Sequence, residues 1–352
     1  MKLEEIRRKI DKIDRELLVL LQERMGLALR SKKFKTTISD PKREADVLTR
    51  AERLNLDLVE SSFARQLLKT IIDESKRLQE EDRKLAAFQG EHGAYGEVAA
   101  RLLVPGAAFI PCLEFNDVFR GVEDGYLDFG VVPVENSTQG IVSHTLDMFL
   151  FSDLKICGEI ELRVRQNLLT LAKSLNQVER VYSHEQSLSQ CKNWLRTHLP
   201  GVELIAVSSN SEAARRVRGT PESAAIGGRS AAEVYGLPVL FADIEDHPDN
   251  TTRFLVIGRE IFAPSGHDKT TLLLTGGEGP GALHQLLEPF HVHGINMTRI
   301  ESRPSRQQIW EYVFYIDLDG HMGSGNVAAA LAELSAETFA VKVLGSYPKA
   351  VL

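Results

Sequence analysis

Two groups of residues in this 352-residue sequence could do chemistry. At 128–142 the stretch DFGVVPVENSTQGIV opens as an apolar strand and then sets Glu135, Asn136, Ser137, Thr138 and Gln139 in succession before Gly140. Such groups cost on the order of a few kcal/mol each when buried unpaired, so this strand end meets either water or a polar ligand. The second group is cationic: Arg7, Arg24 and Lys35 recur along an N-terminal region of helical spacing. Arg24 and Lys35 fall three turns apart on one face and can converge on a small anion. Arg7 lies roughly 25 Å away along the helix and could serve only the equivalent site of an antiparallel partner. On a generic helical hairpin such cations are simply a solvated face.

These groups need elements to hold them. The length exceeds one ordinary domain, so two or three are expected. Hydrophobic residues at 43% and charged ones at 26% are the proportions of a globular protein folding in water. No apolar run nears the ~18 residues of a membrane span, and MKLEEIRRKIDKIDRELL has no apolar signal core. Cys112, Cys157 and Cys191, far apart and odd in number, indicate reduced thiols in the cytoplasm. The net charge of −7 divides unevenly, with 21 Lys+Arg against 17 Asp+Glu in residues 1–85 and 21 against 32 beyond. Only Phe34 and Phe63 are aromatic in the basic part, which suits small anions and not nucleic acid.

Leu3, Ile6, Ile10, Ile13, Leu17, Leu20 and Leu21 recur at helical spacing and predict a first helix of about 30 residues. Asp40 reads as the N-cap of a second helix with Pro41 as its first residue, and a third covers roughly 60–80. Three helices with one so long do not close a compact bundle, so pairing with a second chain is expected. After the polar linker EEDRKL, the apolar runs AAFQG, DFGVVPV, NLLTLA, RVYSH, AAIGG and RFLVIG alternate with helical stretches. That predicts α/β units on largely parallel sheets, with ligands beyond the carboxyl ends of strands. From Lys269, TTLLLTG, ALHQLLEPFHVHG, INMTRIESR and WEYVFYIDLDG, then a helix and a short strand, read as βαββαβ, ferredoxin-like. The expected domains are 1–82, 86–262 and 269–346.

Arg7, Arg24, Lys35, Asp40, Arg43, Glu44, Ser75 and Gln79, in their spacing over residues 3–80, resemble the all-helical chorismate mutase family. The resemblance implies that Arg7 of the partner subunit, Arg24 and Arg43 hold two substrate carboxylates, and that Lys35 and Gln79 donate to the breaking ether oxygen. Asp40 and Glu44 would face the ring hydroxyl and Ser75 a carboxylate. The chemistry suits these residue types. A pericyclic rearrangement needs a dianion held in a reactive conformer and donors aimed at charge developing on oxygen, not a nucleophile or metal.

Over 86–260 the stretches FQGEHGAYGEVAA, GVVPVENSTQG, VYSHEQSLSQC and DHPDNTTRFLVI resemble prephenate dehydratase. A two-lobed domain like that of periplasmic binding proteins is implied, with a cleft for prephenate. Glu135, Asn136, Ser137, Ser183, His184, Gln190, Thr252 and Arg253 would line it. Thr252 would assist loss of the ring hydroxyl as hydrogen-bond donor or proton relay, and Arg253 would meet a carboxylate. Asn136 and Glu135 complete the catalytic set, with Glu135 either electrostatic or structural. Gly96 stands where the family often has serine, and Glu185 where proline is common.

GGEGPGALHQLLEPF places glycines at a helix start without the Lys-Ser/Thr of a phosphate loop. Amides at a helix start also bind carboxylates. Residues 269–346 resemble the ACT regulatory domain, and Gly281, Ala282, Leu283 and His284 with Glu301, Ser302, Arg303 and Pro304 match the motifs associated with phenylalanine. The resemblance implies that the end product binds at a dimer interface and inhibits the dehydratase. His291 and His293 point to different sides of a helix, with no third ligand evident, as at a surface helix end. No cofactor or metal is implied.

The order of the three resemblances is that of bifunctional enzymes of phenylalanine biosynthesis: cytoplasmic, acting on chorismate and prephenate, and a homodimer or a multiple of one. Two rivals are a solute-binding receptor, against which the absent signal and the mutase-like helices speak, and a regulator whose helices only dimerise it.

Overall fold

The computed structural model of the chain describes residues 3–54, 57–275, 280–304, 312–336 and 340–350. Gly276, Gly277, Glu278 and Gly279 of the glycine-rich turn, and Trp310 and Glu311 of the expected strand, lie outside the described residues.

The N-terminal helices are α1 (Leu3–Lys32), α2 (Pro41–Arg53) and α3 (Ser61–Glu80). Asp40 caps α2, its carboxylate accepting from the Arg43 amide at 3.0 Å with Pro41 at the first position. Helix α1 ends at Lys32, so Lys35 lies in the loop before α2. The expectation that Lys35 shares a helix face with Arg24 is therefore corrected. Beyond Lys32, Phe34 stacks on Tyr126 at 4.2 Å and Lys33 pairs with Asp128 at 3.2 Å, which turns the chain onto the next domain. Along α1, Ile10, Ile13, Leu17, Leu18 and Leu20 stay half or more exposed, while Leu29 enters a core shared with Ile110.

The first lobe of the central segment contains β1 (Leu85–Gln89), α4 (Tyr95–Leu103), β2 (Ala108–Cys112), α5 (Phe115–Glu123), β3 (Phe129–Asn136), β4 (Gly140–Ile141), α6 (Ser143–Phe151) and β5 (Lys155–Arg163). The chain then crosses to a second lobe of β6 (Asn167–Thr170), β7 (Arg180–His184), α7 (Glu185–Gln190), α8 (Lys192–His198), β8 (Glu203–Val207), α9 (Asn210–Val217), β9 (Ser223–Gly227), α10 (Arg229–Tyr235) and β10 (Val239–Phe241). It returns as β11 (Thr251–Gly258), which lies between β3 and β5. The sheets are mixed, not largely parallel. β1 runs parallel to β2 and β3, and β7 to β8 and β9, but β11 is antiparallel to both its neighbours and β6 to β9. A chain that leaves one lobe and re-enters it inserts its returning strand against the direction of the others.

The C-terminal unit is β12 (Asp268–Thr275), α11 (Ala282–Val292), β13 (Met297–Pro304), β14 (Tyr312–Asp319), α12 (Gly325–Ala336) and β15 (Ala340–Pro348), with sheet order β13-β14-β12-β15. This is the βαββαβ arrangement, and the last strand is nine residues long, not short. One face of its sheet packs Leu272 and Leu274 against Phe290 of α11 and Leu334 of α12. The other gives Leu273, Tyr315, Leu344 and Tyr347 to a core shared with the first lobe.

Candidate active sites

Among the helices, α1 and α3 bring Arg24 and Ser75 together. The guanidinium donates to the Ser75 hydroxyl at 2.6 Å, and that hydroxyl in turn donates to the Ile71 carbonyl at 2.7 Å. Burial lowers the Arg24 pKa below its ordinary value. One turn on, Gln79 is buried, and its amide nitrogen donates to the Ala28 carbonyl and, at 3.1 Å, to the Ser31 hydroxyl. Within one chain, then, the amide of Gln79 is already engaged. Glu44 accepts from Ser39 at 3.2 Å and pairs with Lys76 at 3.0 Å. Arg7 and Arg43 are exposed, Arg7 beside Glu4 near the far end of α1.

Between the two lobes lies a cleft of about 340 Å³ lined by Asn136, Gln166, His184, Gln190, Asn210, Asn250 and Thr252, among others. Asn136 sets its hydrogen-bond sense. Its Oδ1 accepts from the amides of Thr138 (3.1 Å) and Gln139 (3.2 Å), so Nδ2 must be the atom that faces β11. That nitrogen donates to Asn250 Oδ1 and to Thr252 Oγ1, both at 2.8 Å. Thr252 Oγ1 thus accepts from the protein and keeps its proton to give. Asn250 is 1% exposed, and its Nδ2, the end left over, has no protein partner. An orientation that begins at two backbone amides thus leaves two unspent donors among the residues that line the cleft.

Five helices begin at this cleft, Val142 opening α6 and Gly228 opening α10. Ala94 and Gly96 open α4, His184 and Gln186 open α7, and Ser209 and Asn210 open α9. Helix N-termini carry partial positive charge and unpaired amides, which suit carboxylates. Among the described residues lining the cleft there is no lysine or arginine. Beneath the loop before α4, Glu97 is 2% exposed and bonds His92, the Gly93 amide and Arg101. Burial would raise its pKa, but these partners outweigh it and hold it down at about 2.

The remaining expected residues divide by strand alternation. Asn136 pairs with Thr252 across the β3–β11 ladder, and Glu135 pairs with Arg253. The first pair faces the cleft and the second faces the C-terminal unit. Glu135 meets Arg299 at 2.6 Å, and Arg253 is buried against Glu159 and Asp317, each at 2.7 Å. Glu135 as a catalytic group and Arg253 as a carboxylate ligand are therefore corrected: both are turned out of the cleft. Ser137 clips the strand end, donating to the Asp249 carbonyl at 3.0 Å and accepting from the Thr251 amide at 2.9 Å. Ser183 is fully buried behind the cleft and donates to Asn210 at 2.9 Å. Gln190 lines the cleft and accepts from Gln166 at 3.1 Å.

Asn250, Gln166 and Asn210 were not singled out by the sequence reading. Asn250 stands two residues before Thr252 in the stretch DHPDNTTRF, and that spacing was the available signal. Gln166 and Asn210 carried none.

Residues 86–261 match the prephenate dehydratase family, 6–80 chorismate mutase type II and 270–336 the ACT domain. A bifunctional chorismate mutase/prephenate dehydratase of Pseudomonas aeruginosa is 44% identical over 99% of this chain and 98% of its own. The chain belongs to the bifunctional chorismate mutase/prephenate dehydratase family. The corresponding protein of Aquifex aeolicus is 42% identical over 99% of both chains. A solved prephenate dehydratase of Arthrobacter aurescens, in complex with L-Phe, superposes with a TM-score of 0.68 at 36% identity, covering 75% of this chain and 90% of that one. The chain thus carries an isomerase and a carbon–oxygen lyase on one polypeptide, with an ACT domain behind them. Among the described residues, no helix is long and apolar enough to cross a membrane.

In the ACT domain Gly281 begins α11 in the left-handed conformation (φ 87°), and His284 and Leu283 are exposed nearby. Ser302 and Pro304 point outward from edge strand β13. Arg303 does not: it donates to Ser143 at 2.7 Å and pairs with Asp147 at 3.1 Å, both on α6 of the dehydratase.

Proposed function

We propose that the inter-lobe cleft is where prephenate loses carbon dioxide and its ring hydroxyl, with Thr252 donating to the departing oxygen and Asn250 and the helix N-termini holding the carboxylates. The observation that carries this reading is the bond from Asn136 Nδ2 to Thr252 Oγ1, which leaves the hydroxyl proton free to be given in a residue that lines the cleft. As the C–C bond to the ring carboxylate breaks, its electron pair enters the ring and the C–O bond breaks. The leaving hydroxide takes a proton and departs as water. Aromatisation drives the step, so a weak acid held in place suffices at the oxygen.

The mutase helices supply prephenate from chorismate. Arg24, Arg43 and Ser75 grip the carboxylates, while Lys35 and Gln79 meet the ether oxygen and Asp40 and Glu44 the ring hydroxyl. Arg7 comes from the partner subunit, since the exposed apolar face of α1 needs a second copy to cover it. Gln79 exchanges its Ala28 bond for the ether oxygen when the second copy or the substrate is in place. The ACT domain senses phenylalanine with the exposed start of α11 and the outward residues of β13, beside a partner at that open edge. Three buried free thiols fit a cytoplasmic enzyme.

Purified protein given chorismate, with chorismate loss and phenylpyruvate appearance followed with and without phenylalanine, tests the reading. Turnover to phenylpyruvate suppressed by phenylalanine is expected. Accumulation of prephenate in the absence of phenylalanine would remove the cleft assignment.

A further inference from the structure

Strand β11 presents alternate residues to two different clients. Thr252 faces the cleft, and Arg253, the next residue, is enclosed between the lobe and the ACT sheet. Around Arg253 runs a closed ring of buried contacts: guanidinium to Asp317 at 2.7 Å, Asp317 to the Thr271 hydroxyl at 2.7 Å, Thr271 to the Tyr347 hydroxyl at 2.7 Å, and Tyr347 back to the guanidinium at 3.1 Å. Asp317, Thr271 and Tyr347 all belong to the ACT sheet. From the lobe, Glu159 grips Arg253 at 2.7 Å and is shared with Lys269 of β12 at 2.7 Å.

We propose that Arg253 is the positioning residue through which the ACT sheet sets Thr252, so that the effector state of the regulatory domain reaches the dehydratase cleft along β11. Three features favour movement at this point. The β3–β11 register shifts between Arg253 and Phe254, and such an irregularity lets a strand bend locally. A void of about 20 Å³, lined by Arg253, Arg299 and Asp317, lies at the same interface, and Nη2 of Arg299 is buried there without a partner. The neighbouring strand repeats the alternation, since Asn136 orients Thr252 while Glu135 is tied to Arg299 of β13. A shift of the ACT sheet therefore pulls both strands from behind, beneath the pair that aims the hydroxyl.

This inference rests on the reading of the ACT domain as the phenylalanine sensor and names the route of its signal. Two variants of the full-length chain test it. Asp317→Asn keeps the side-chain shape; it is expected to bind phenylalanine in equilibrium dialysis while its dehydratase escapes inhibition about fivefold or more. Arg253→Lys keeps the charge and loses the planar grip; kcat for prephenate is expected to fall about tenfold with KM little changed. Full inhibition in Asp317→Asn, or loss of phenylalanine binding with it, overturns the route. An unchanged kcat in Arg253→Lys overturns the positioning. If Asp317→Asn does not fold, Tyr347→Phe, which removes one hydroxyl from the ring, carries the same expectation. A parent enzyme indifferent to phenylalanine would instead overturn the sensor reading, and the kcat of Arg253→Lys would still decide the role of Arg253.

Discussion

In the mutase helices, the groups suited to a dianion are long cationic side chains on exposed or half-exposed helix faces. In the dehydratase cleft they are amides, hydroxyls and helix N-termini fixed by buried bonds. A guanidinium reaches its target from any helix that passes nearby, so a site built of such groups can be divided between two chains. A dipole acts only where its own backbone puts it. A site built of dipoles needs each dipole fixed by its own backbone, and here both lobes set helix starts and buried amides at the cleft.

The largest effect should come from removing the cleft's donor. Thr252→Ala is expected to lower kcat of the dehydratase a hundredfold or more, about the usual worth of a positioned proton donor, with mutase turnover unchanged. Equal loss in both assays would mean that the two regions are not independent. Next, Ile13→Glu with Leu17→Glu places charge on the exposed face of α1. If α1 pairs through this face as proposed, sedimentation should show a dimer dissociating, with mutase activity down about tenfold or more while the dehydratase persists. A monomer that retains full mutase activity would break the contrast between shared and self-contained sites.

Smaller effects sharpen it. The folded pKa of Glu97 lies below its ordinary 4.5, so its stabilisation is present above that pH and is lost as pH falls towards about 2. The advantage of the parent over Glu97→Gln, on the order of 3 kcal/mol near neutrality, should shrink in unfolding titrations over that window. Gly96→Ser adds a hydroxyl at the cleft, but a Cβ there would stand 2.7 Å from the Gln89 carbonyl. About 1 kcal/mol of destabilisation in thermal unfolding is expected.

Much of this was legible in the sequence, and the failures share a cause. The N-cap at Asp40, the long α1 and the βαββαβ order depend on local pattern and came through. The stretches ENS and TRF group residues by adjacency along the chain, whereas a strand sends neighbours to opposite faces. Thr252 and Asn136 therefore went into the cleft, and Arg253 and Glu135 went behind it. Lys35 was misplaced because α1 stops without a glycine or proline. It ends where Phe34 finds Tyr126, a residue 92 positions later. Asn250 drew no notice because only the orientation of Asn136 gives it a job.

Leu29 and Ile110 occupy one core, although 81 residues separate them. During synthesis α1 leaves the ribosome well before β2 exists to receive it, with its long apolar stripe exposed. The nascent chain thus carries a sticky helix through much of its translation. A gene cut at the linker would release a dehydratase with an open apolar socket at Ile110. Separating the two enzymes by truncation therefore calls for a polar residue at that socket as well as a new start codon.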